Sequence, residues 1–260
     1  MLRTTLIILA TSLTMAQAIN LKGHGDTKTQ IDQAKFRKRL SDLMKKGKRT
    51  LYYKEARLYL FNNIYAYNKS GSDNKFLKDL YCGNEYENNV DIQLDSENLP
   101  DGNIINTEHT WPKSRFFDYG ETVEHGKNEY DDMVADMHHL FPTDSFVNSM
   151  RASYHYGEVD DNKLQDCGES KFGKNKKYPN MPLFEPPNEV KGDIARGLFY
   201  FAVMYELPID DREEAFLRAW DKLDPIDEFE KFRNDEVEKY QGNRNPFIDY
   251  PELIELLTDI

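Results

Sequence analysis

Cysteine is nearly absent: the 260 residues hold two, Cys82 and Cys167. So sparse a supply excludes a disulfide-dense scaffold, and the pair is too far apart in sequence for a Cys-x-x-Cys metal or redox motif. A His-x-x-x-His spacing is also missing, and no internal repeat marks a solenoid. No apolar run reaches the roughly 20 residues that a membrane-spanning helix needs. Positive charge is in short supply too: the formal net charge is −12, so bulk attraction cannot draw the chain to a polyanion. If the substrate is nucleic acid, affinity has to come from a local basic surface and a bound cation, because phosphate contacts dominate such binding. Lys113, Arg115, Lys127, Arg151 and Arg244 are the cations for that surface, whereas the run Lys171, Lys174, Lys176 and Lys177 reads better as a solvated loop.

What is present begins with a leader. Arg3 is a positive start, Leu6 to Leu13 a short apolar core and Ala16-Gln17-Ala18 a small-x-small cleavage site. This is the pattern of a secretory signal peptide over 1–18, and it predicts a secreted or periplasmic chain starting near Ile19, free of the membrane. In an oxidising space Cys82 and Cys167 can form one disulfide, with two free thiols as the alternative. No composition break divides the remainder, so 19–260 reads as a single domain.

Apolar spacing predicts a helix from Ile31 to Lys46 and a second from Leu51 to Tyr67, closed by the breaker cluster Asn68 to Asn74. Between Tyr81 and Arg115 the texture changes to short strands and loops. One strand carries Glu108-His109, and a second is expected over Met133 to Phe141, closed by Pro142. Thr143 or Asp144 then caps a helix with Val147, Asn148 and Arg151. The stretch from Gly157 to Pro187 shows no periodicity. Three helices follow: one through Ile194, Leu198, Phe201 and Tyr205, one from Arg212 to Lys222, and one starting at Asp224-Pro225.

Two polar stretches hold the chemistry. Phosphodiester hydrolysis needs an activated water, neutralisation of charge on the phosphorus oxygens and help for the leaving alkoxide, and a histidine with one divalent cation supplies all three. Glu108 and Asn148 are hard oxygen donors of the kind magnesium prefers, and His109 is then the base. Judged alone, Glu-His is a weak signal. Neighbours in a regular strand point to opposite faces, so both residues serve one site only at a strand end or bulge. Asp136, His138 and His139 form a second tier. His138-His139 also invites a zinc reading, although zinc wants three or four protein ligands, and a packing histidine beside Leu140 and Phe141 is the plainer account of at least one of them. Taken singly, Asn148 is more ordinary as a surface residue, and Arg151 as a salt-bridged cation.

Taken together, Glu108-His109-Thr110-Trp111-Pro112, Asp136-Met137-His138-His139-Leu140-Phe141-Pro142 and Val147-Asn148-Ser149-Met150-Arg151 resemble the endonuclease I family of exported bacterial nucleases. The likeness continues in order through Lys191-Gly192-Asp193-Ile194-Ala195-Arg196-Gly197 and Gln241-Gly242-Asn243-Arg244-Asn245-Pro246-Phe247, covering most of the chain from about Phe61 to Ile248. The resemblance implies a ββα-metal nuclease core of the His-Me finger type in a mostly helical α+β domain. It also implies cutting of DNA and often RNA through the phosphate backbone, with Mg2+ or the substitutes Ca2+ and Mn2+; the chain is expected to be a monomer. Carried over, the metal ligands fall on Glu108 and Asn148 and the general base on His109, while Arg151 takes a phosphate-holding or site-organising position. The family's Cys-Gly-Cys is Cys82-Gly83-Asn84 here. An arginine that some members use to hold phosphate in the loop after the first strand has no clear counterpart; Arg115 and Lys127 are the substitutes. Two other readings stand beside this one: a zinc hydrolase on His109, His138 and His139, and an exported nucleic-acid-binding protein without catalysis.

Overall fold

The computed structural model describes residues 32–116, 127–258 and 260, so the expected leader lies outside the described residues. Asp32 opens the first helix by accepting the Lys35 backbone N–H at 3.2 Å. Helix α1 (Gln33–Lys45) then buries Phe36, Leu40 and Met44 at helical spacing. Helix α2 (Tyr53–Tyr59) widens into a π-helical stretch, Leu60–Tyr65, that turns Leu60, Phe61 and Ile64 into the core. The helix expected to reach Tyr67 therefore stops earlier. Its last residues join strand β1 (Ala66–Asn68), because Ala66 pairs with Leu77 of β2 (Lys75–Lys78), and β3 (Glu85–Glu87) completes an antiparallel sheet of order β1-β2-β3.

Strand β4 (Ile105–His109) holds Glu108 and His109, as the sequence predicts. Its partner is shifted from expectation. Helix α3 (Lys127–Val134) runs past Met133, a 3-10 turn takes Met137–His139, and strand β5 is Leu140–Asp144. Pro142 does not close that strand but sits inside it, opposite Thr107. The ribbon tolerates it because the Thr107–Pro142 pair exchanges no ladder hydrogen bonds, so no N–H is required of the proline toward β4, and its carbonyl accepts Leu80 N at 2.9 Å. Asp144 then caps α4 (Ser145–Arg151), accepting from Phe146 N and Val147 N at 2.9 and 3.0 Å.

The stretch without periodicity contains β6 (His155–Tyr156), β7 (Asp161–Asn162), β8 (Lys171–Lys174) and β9 (Pro182–Glu185), in the order β6-β9-β8-β7. Strands this short leave no alternation to read. Helix α5 (Lys191–Tyr205) carries Lys191, Asp193 and Arg196 in its first turns, is apolar all round from Leu198 to Met204, and is buried along nearly all of its length. It packs against α1, the Met137–His139 turn, α6 (Asp211–Leu223) and, beyond α7 (Glu228–Gln241), the short α8 (Pro246–Asp249); α9 (Glu252–Leu256) follows. A Cβ on Gly192 would stand 2.1 Å from the Asp224 carbonyl oxygen, so only glycine permits this approach. The same approach displaces the start of α7. Asp224 spends its carboxylate on Gly192 N (2.8 Å) and its carbonyl on Arg196, and Asp227 caps the helix instead. The architecture is α+β, and among the described residues no helix is long and apolar enough to cross a membrane.

Cys82 and Cys167 form a disulfide that ties the β2-β3 turn to the loop before β8. It closes a loop with a sequence separation of 85, for which chain entropy predicts about 4 to 5 kcal/mol. Replacing both cysteines by serine is expected to lower the urea-unfolding free energy by about 2 to 5 kcal/mol. Unchanged stability would show that the native fold gains nothing from the crosslink.

Candidate active site at the end of strand β4

Glu108 is 2% exposed, and three side chains converge on one of its carboxylate oxygens. Tyr81 donates its hydroxyl to Oε1 at 2.6 Å, Tyr156 does so at 3.2 Å, and Arg151 Nη1 stands 3.2 Å from the same atom. The two tyrosine hydroxyls are 2.7 Å apart. Burial pushes the Glu108 carboxyl above its ordinary range, while Arg151 and the tyrosines pull it back toward the ionised form. The His109 backbone N–H also supports the carboxylate, and among the described residues no side chain bonds Oε2, which can therefore take an outside partner. One turn before Arg151 on α4, Asn148 donates Nδ2 to the Thr107 carbonyl at 3.3 Å. That bond fixes the amide at the strand beside Glu108 and orients its Oδ1 as an acceptor.

The β4-β5 ladder is regular, Glu108 facing Phe141 and His109 facing Leu140, and the strand ends at His109. No bulge interrupts it, and just past the strand Thr110 N still donates to the His139 carbonyl at 3.0 Å. His109 is 7% exposed, its Nε2 is 3.1 Å from the Val134 carbonyl, and its ring lies 5.3 Å from Tyr53 and 5.2 Å from His139. Burial, and then the neighbouring His139, Lys113 and Arg57, hold its pKa well below the ordinary value. The imidazole is therefore neutral at pH 7.

Beneath it, Asp136 receives hydrogen bonds from Tyr200 OH (3.0 Å), Tyr205 OH (2.8 Å), Gln241 Nε2 (2.9 Å) and His138 N (3.1 Å). Burial would raise its pKa, but Lys48 and the two histidines outweigh this and hold it down at about 2. His138 bonds Asn243 O through Nε2 at 3.1 Å, and His139 is enclosed against Phe201, with no hydrogen bond on either ring nitrogen among the described residues. A zinc centre on His109, His138 and His139 is thereby overturned. Among the described residues no three His, Cys, Asp or Glu side chains come together to hold a metal. A magnesium-type ion needs fewer protein ligands, since it keeps most of its water, and the open oxygens of Glu108 and Asn148 fit it.

Two expected phosphate contacts are corrected. Arg151 is 1% exposed and donates to the carbonyls of His109 (3.2 Å), Thr110 (2.6 Å) and Ala152 (3.3 Å), so its fork organises the end of β4 and is closed to an outside phosphate. Arg115 is forked onto the buried Glu213 at 3.3 and 2.6 Å, which neutralises it. Arg244 is likewise tied to Asp235, Glu238 and Asp249. Lys127 begins α3, but its side chain lies outside the described residues. Sequence reasoning missed Tyr81 and Tyr156, whose hydroxyls meet Glu108 from 27 and 48 residues away. It also missed Arg57, which reaches Thr107. No local pattern announces such contacts.

The family model for Endonuclease I matches residues 32–252. The chain belongs to the endonuclease I family. Among its relatives, an extracellular ribonuclease of Bacillus subtilis (strain 168) is 38% identical over 178 residues, 60% of this chain and 56% of its own length. A periplasmic deoxyribonuclease of Aeromonas hydrophila is 33% identical over 124 residues, 46% of this chain and 50% of its own. An endonuclease-1 of Buchnera aphidicola subsp. Acyrthosiphon pisum (strain APS) is 28% identical over 122 residues, 46% of each. The endonuclease I chain thus spans about half the length of the curated relatives it matches.

The buried histidines of this endonuclease I chain make its stability fall in acid. Burial lowers His138 to about 4 and His139 to about 3, whereas both titrate near 6.5 when unfolded. As pH falls below 6.5 the unfolded chain takes up protons first, so the stability each contributes is present above that pH and lost toward pH 4 and 3. Between pH 7 and 5 each histidine accounts for about 2 kcal/mol. His139→Phe, which suits the ring's aromatic surroundings, is expected to reduce the urea-unfolding loss over that interval by about 2 kcal/mol relative to wild type. An equal loss in both proteins would mean that His139 is not held neutral by burial.

Proposed function

We propose that this chain is an exported, metal-dependent endonuclease that hydrolyses the phosphodiester backbone of DNA and RNA with little sequence preference. In this reading one domain over 19–260 follows a cleaved leader over 1–18. The observation that supports it best is the β4-β5-α4 unit, in which antiparallel β4 and β5 lead into α4, Asn148 of that helix is bonded to the Thr107 carbonyl, and Glu108 and His109 follow Thr107 on β4; we read this unit as a ββα-metal core. The names of relatives, ribonuclease in one and deoxyribonuclease in another, support both substrates.

A magnesium-type ion on Glu108 and Asn148, with Mn2+ or Ca2+ as substitutes, would neutralise charge on the phosphoryl and leaving oxygens. His109 does the proton work. The Val134 carbonyl can only accept, so Nε2 carries the hydrogen and Nδ1 offers the lone pair that takes a proton from the attacking water. Burial keeps that lone pair available at neutral pH. Tyr81, Tyr156 and Arg151 hold the Glu108 carboxylate in place, much as outer partners fix a ligand's orientation. Glu213 takes Tyr156 N at 2.8 Å and His155 Nδ1 at 2.7 Å, which fixes the strand that delivers the Tyr156 hydroxyl. Contacts made to phosphate carry no sequence information, which accounts for a broad substrate range.

The two adjacent residues should fail differently. His109→Ala is expected to lower cleavage of plasmid DNA by about 10²-fold or more, the usual size of a general-base contribution, with magnesium binding by calorimetry intact. Glu108→Gln should instead raise the magnesium concentration for half-maximal cleavage, with Asn148→Ala behaving likewise but more mildly. Chelator should abolish the wild-type reaction. Chelator-resistant cleavage, or metal binding lost in His109→Ala and kept in Glu108→Gln, would contradict the assignment.

A further inference from the structure

We propose that Arg57 is the cation that grips a backbone phosphate of the substrate beside His109; the proposal rests on the nuclease reading above. The site needs such a group, because the chain is acidic overall and the three arginines put forward from sequence are engaged elsewhere; the exposed Lys113, whose charge also reaches His109, is a point charge without a fork. Arg115 belongs to Glu213, Arg151 to Glu108 and backbone carbonyls, and Arg244 to three carboxylates. Arg57 differs from all three. It forms no ion pair with any carboxylate among the described residues, and its one hydrogen bond there runs from Nε to Thr107 Oγ1 at 2.7 Å.

That single bond aims the side chain. Thr107 is a buried residue of β4, and its carbonyl receives the Asn148 amide, so Arg57 is pinned to the strand position that also fixes a proposed metal ligand. Its guanidinium lies over the Tyr53 ring, 5.1 Å from the centroid, and His109 is another neighbour of that ring at 5.3 Å. With Nε held and the plane stacked, Nη1 and Nη2 form an open fork among the described residues. A fork of this kind matches two oxygens of one phosphate, and preorganisation by the ring lowers the entropy lost on binding.

The test compares Arg57→Gln, Arg57→Lys and Thr107→Val with wild type. Duplex DNA binding is measured on chelated protein over a salt series, and kcat/KM with magnesium. Loss of one phosphate contact should reduce the slope of log affinity against log salt by about 0.9 in Arg57→Gln, with kcat/KM down about tenfold or more. Arg57→Lys keeps the charge and loses the fork, so the slope should persist while kcat/KM falls. Thr107→Val removes the hydrogen bond but no charge, and it should keep the wild-type slope. An unchanged slope in Arg57→Gln overturns the proposal and leaves the nuclease reading standing. Wild-type protein that neither binds nor cuts overturns both.

Discussion

One buried carboxylate oxygen sets the terms for the rest of the site. Burying Glu108 costs several kcal/mol unless the charge is paired and hydrogen-bonded, and the chain answers with two tyrosine hydroxyls and a guanidinium on Oε1. Those three donors come from three places: the β2-β3 turn, strand β6 and helix α4. Each is secured in turn. The Asp79 carboxylate accepts the backbone N–H groups of Tyr81, Cys82 and Asn84, and Ser170 Oγ donates to the Tyr81 carbonyl at 2.7 Å. The Cys82–Cys167 disulfide closes the same turn. Glu213 holds β6. The disulfide and the two small sheets therefore act on the site through the tyrosines, although none of them reaches the reacting groups.

A second buried charge carries the other side. Asp136 gathers Tyr200, Tyr205, Gln241 and the His138 backbone, with Lys48 3.8 Å away. This fixes the Met137–His139 turn on α5, and with it the wall against which His109 rests. Glu108 and Asp136 are thus anchored by different helices, and β4-β5 is the ribbon between them. A buried network that is well satisfied rigidifies its surroundings, which suits the base and two metal donors proposed for this site.

Legibility from sequence followed the range of the interactions. Helix α1, the Asp144 cap and strand β4 could be read because capping and periodicity are local. The second strand of the ribbon was misplaced by several residues, since Pro142 looks like a terminator until its solitary pairing with β4 is known. The start of α7 was misread for a similar reason: Asp224-Pro225 is a fair local start signal, but the tertiary demand of Gly192 and Arg196 takes the Asp224 oxygens. Glu108, His109 and Asn148 were recognisable as a set through the family likeness, not through any one of them. The partners that define their chemistry, Tyr81, Tyr156 and Arg57, stand far from them in the chain and carry no motif. The cations were the least legible class, because ion pairing decides which remain available and pairing is a property of the fold.

The account as a whole holds that Glu108 is useful because one of its oxygens is fixed so that the other can bind a cation. Magnesium titration by calorimetry of Tyr81→Phe and Tyr156→Phe, each of which removes one donor from Oε1 and keeps the ring, addresses this most directly. Loss of such an outer partner is expected to weaken metal affinity about 10- to 100-fold, with thermal unfolding showing that each variant is folded. Wild-type magnesium affinity in both folded variants would contradict the account.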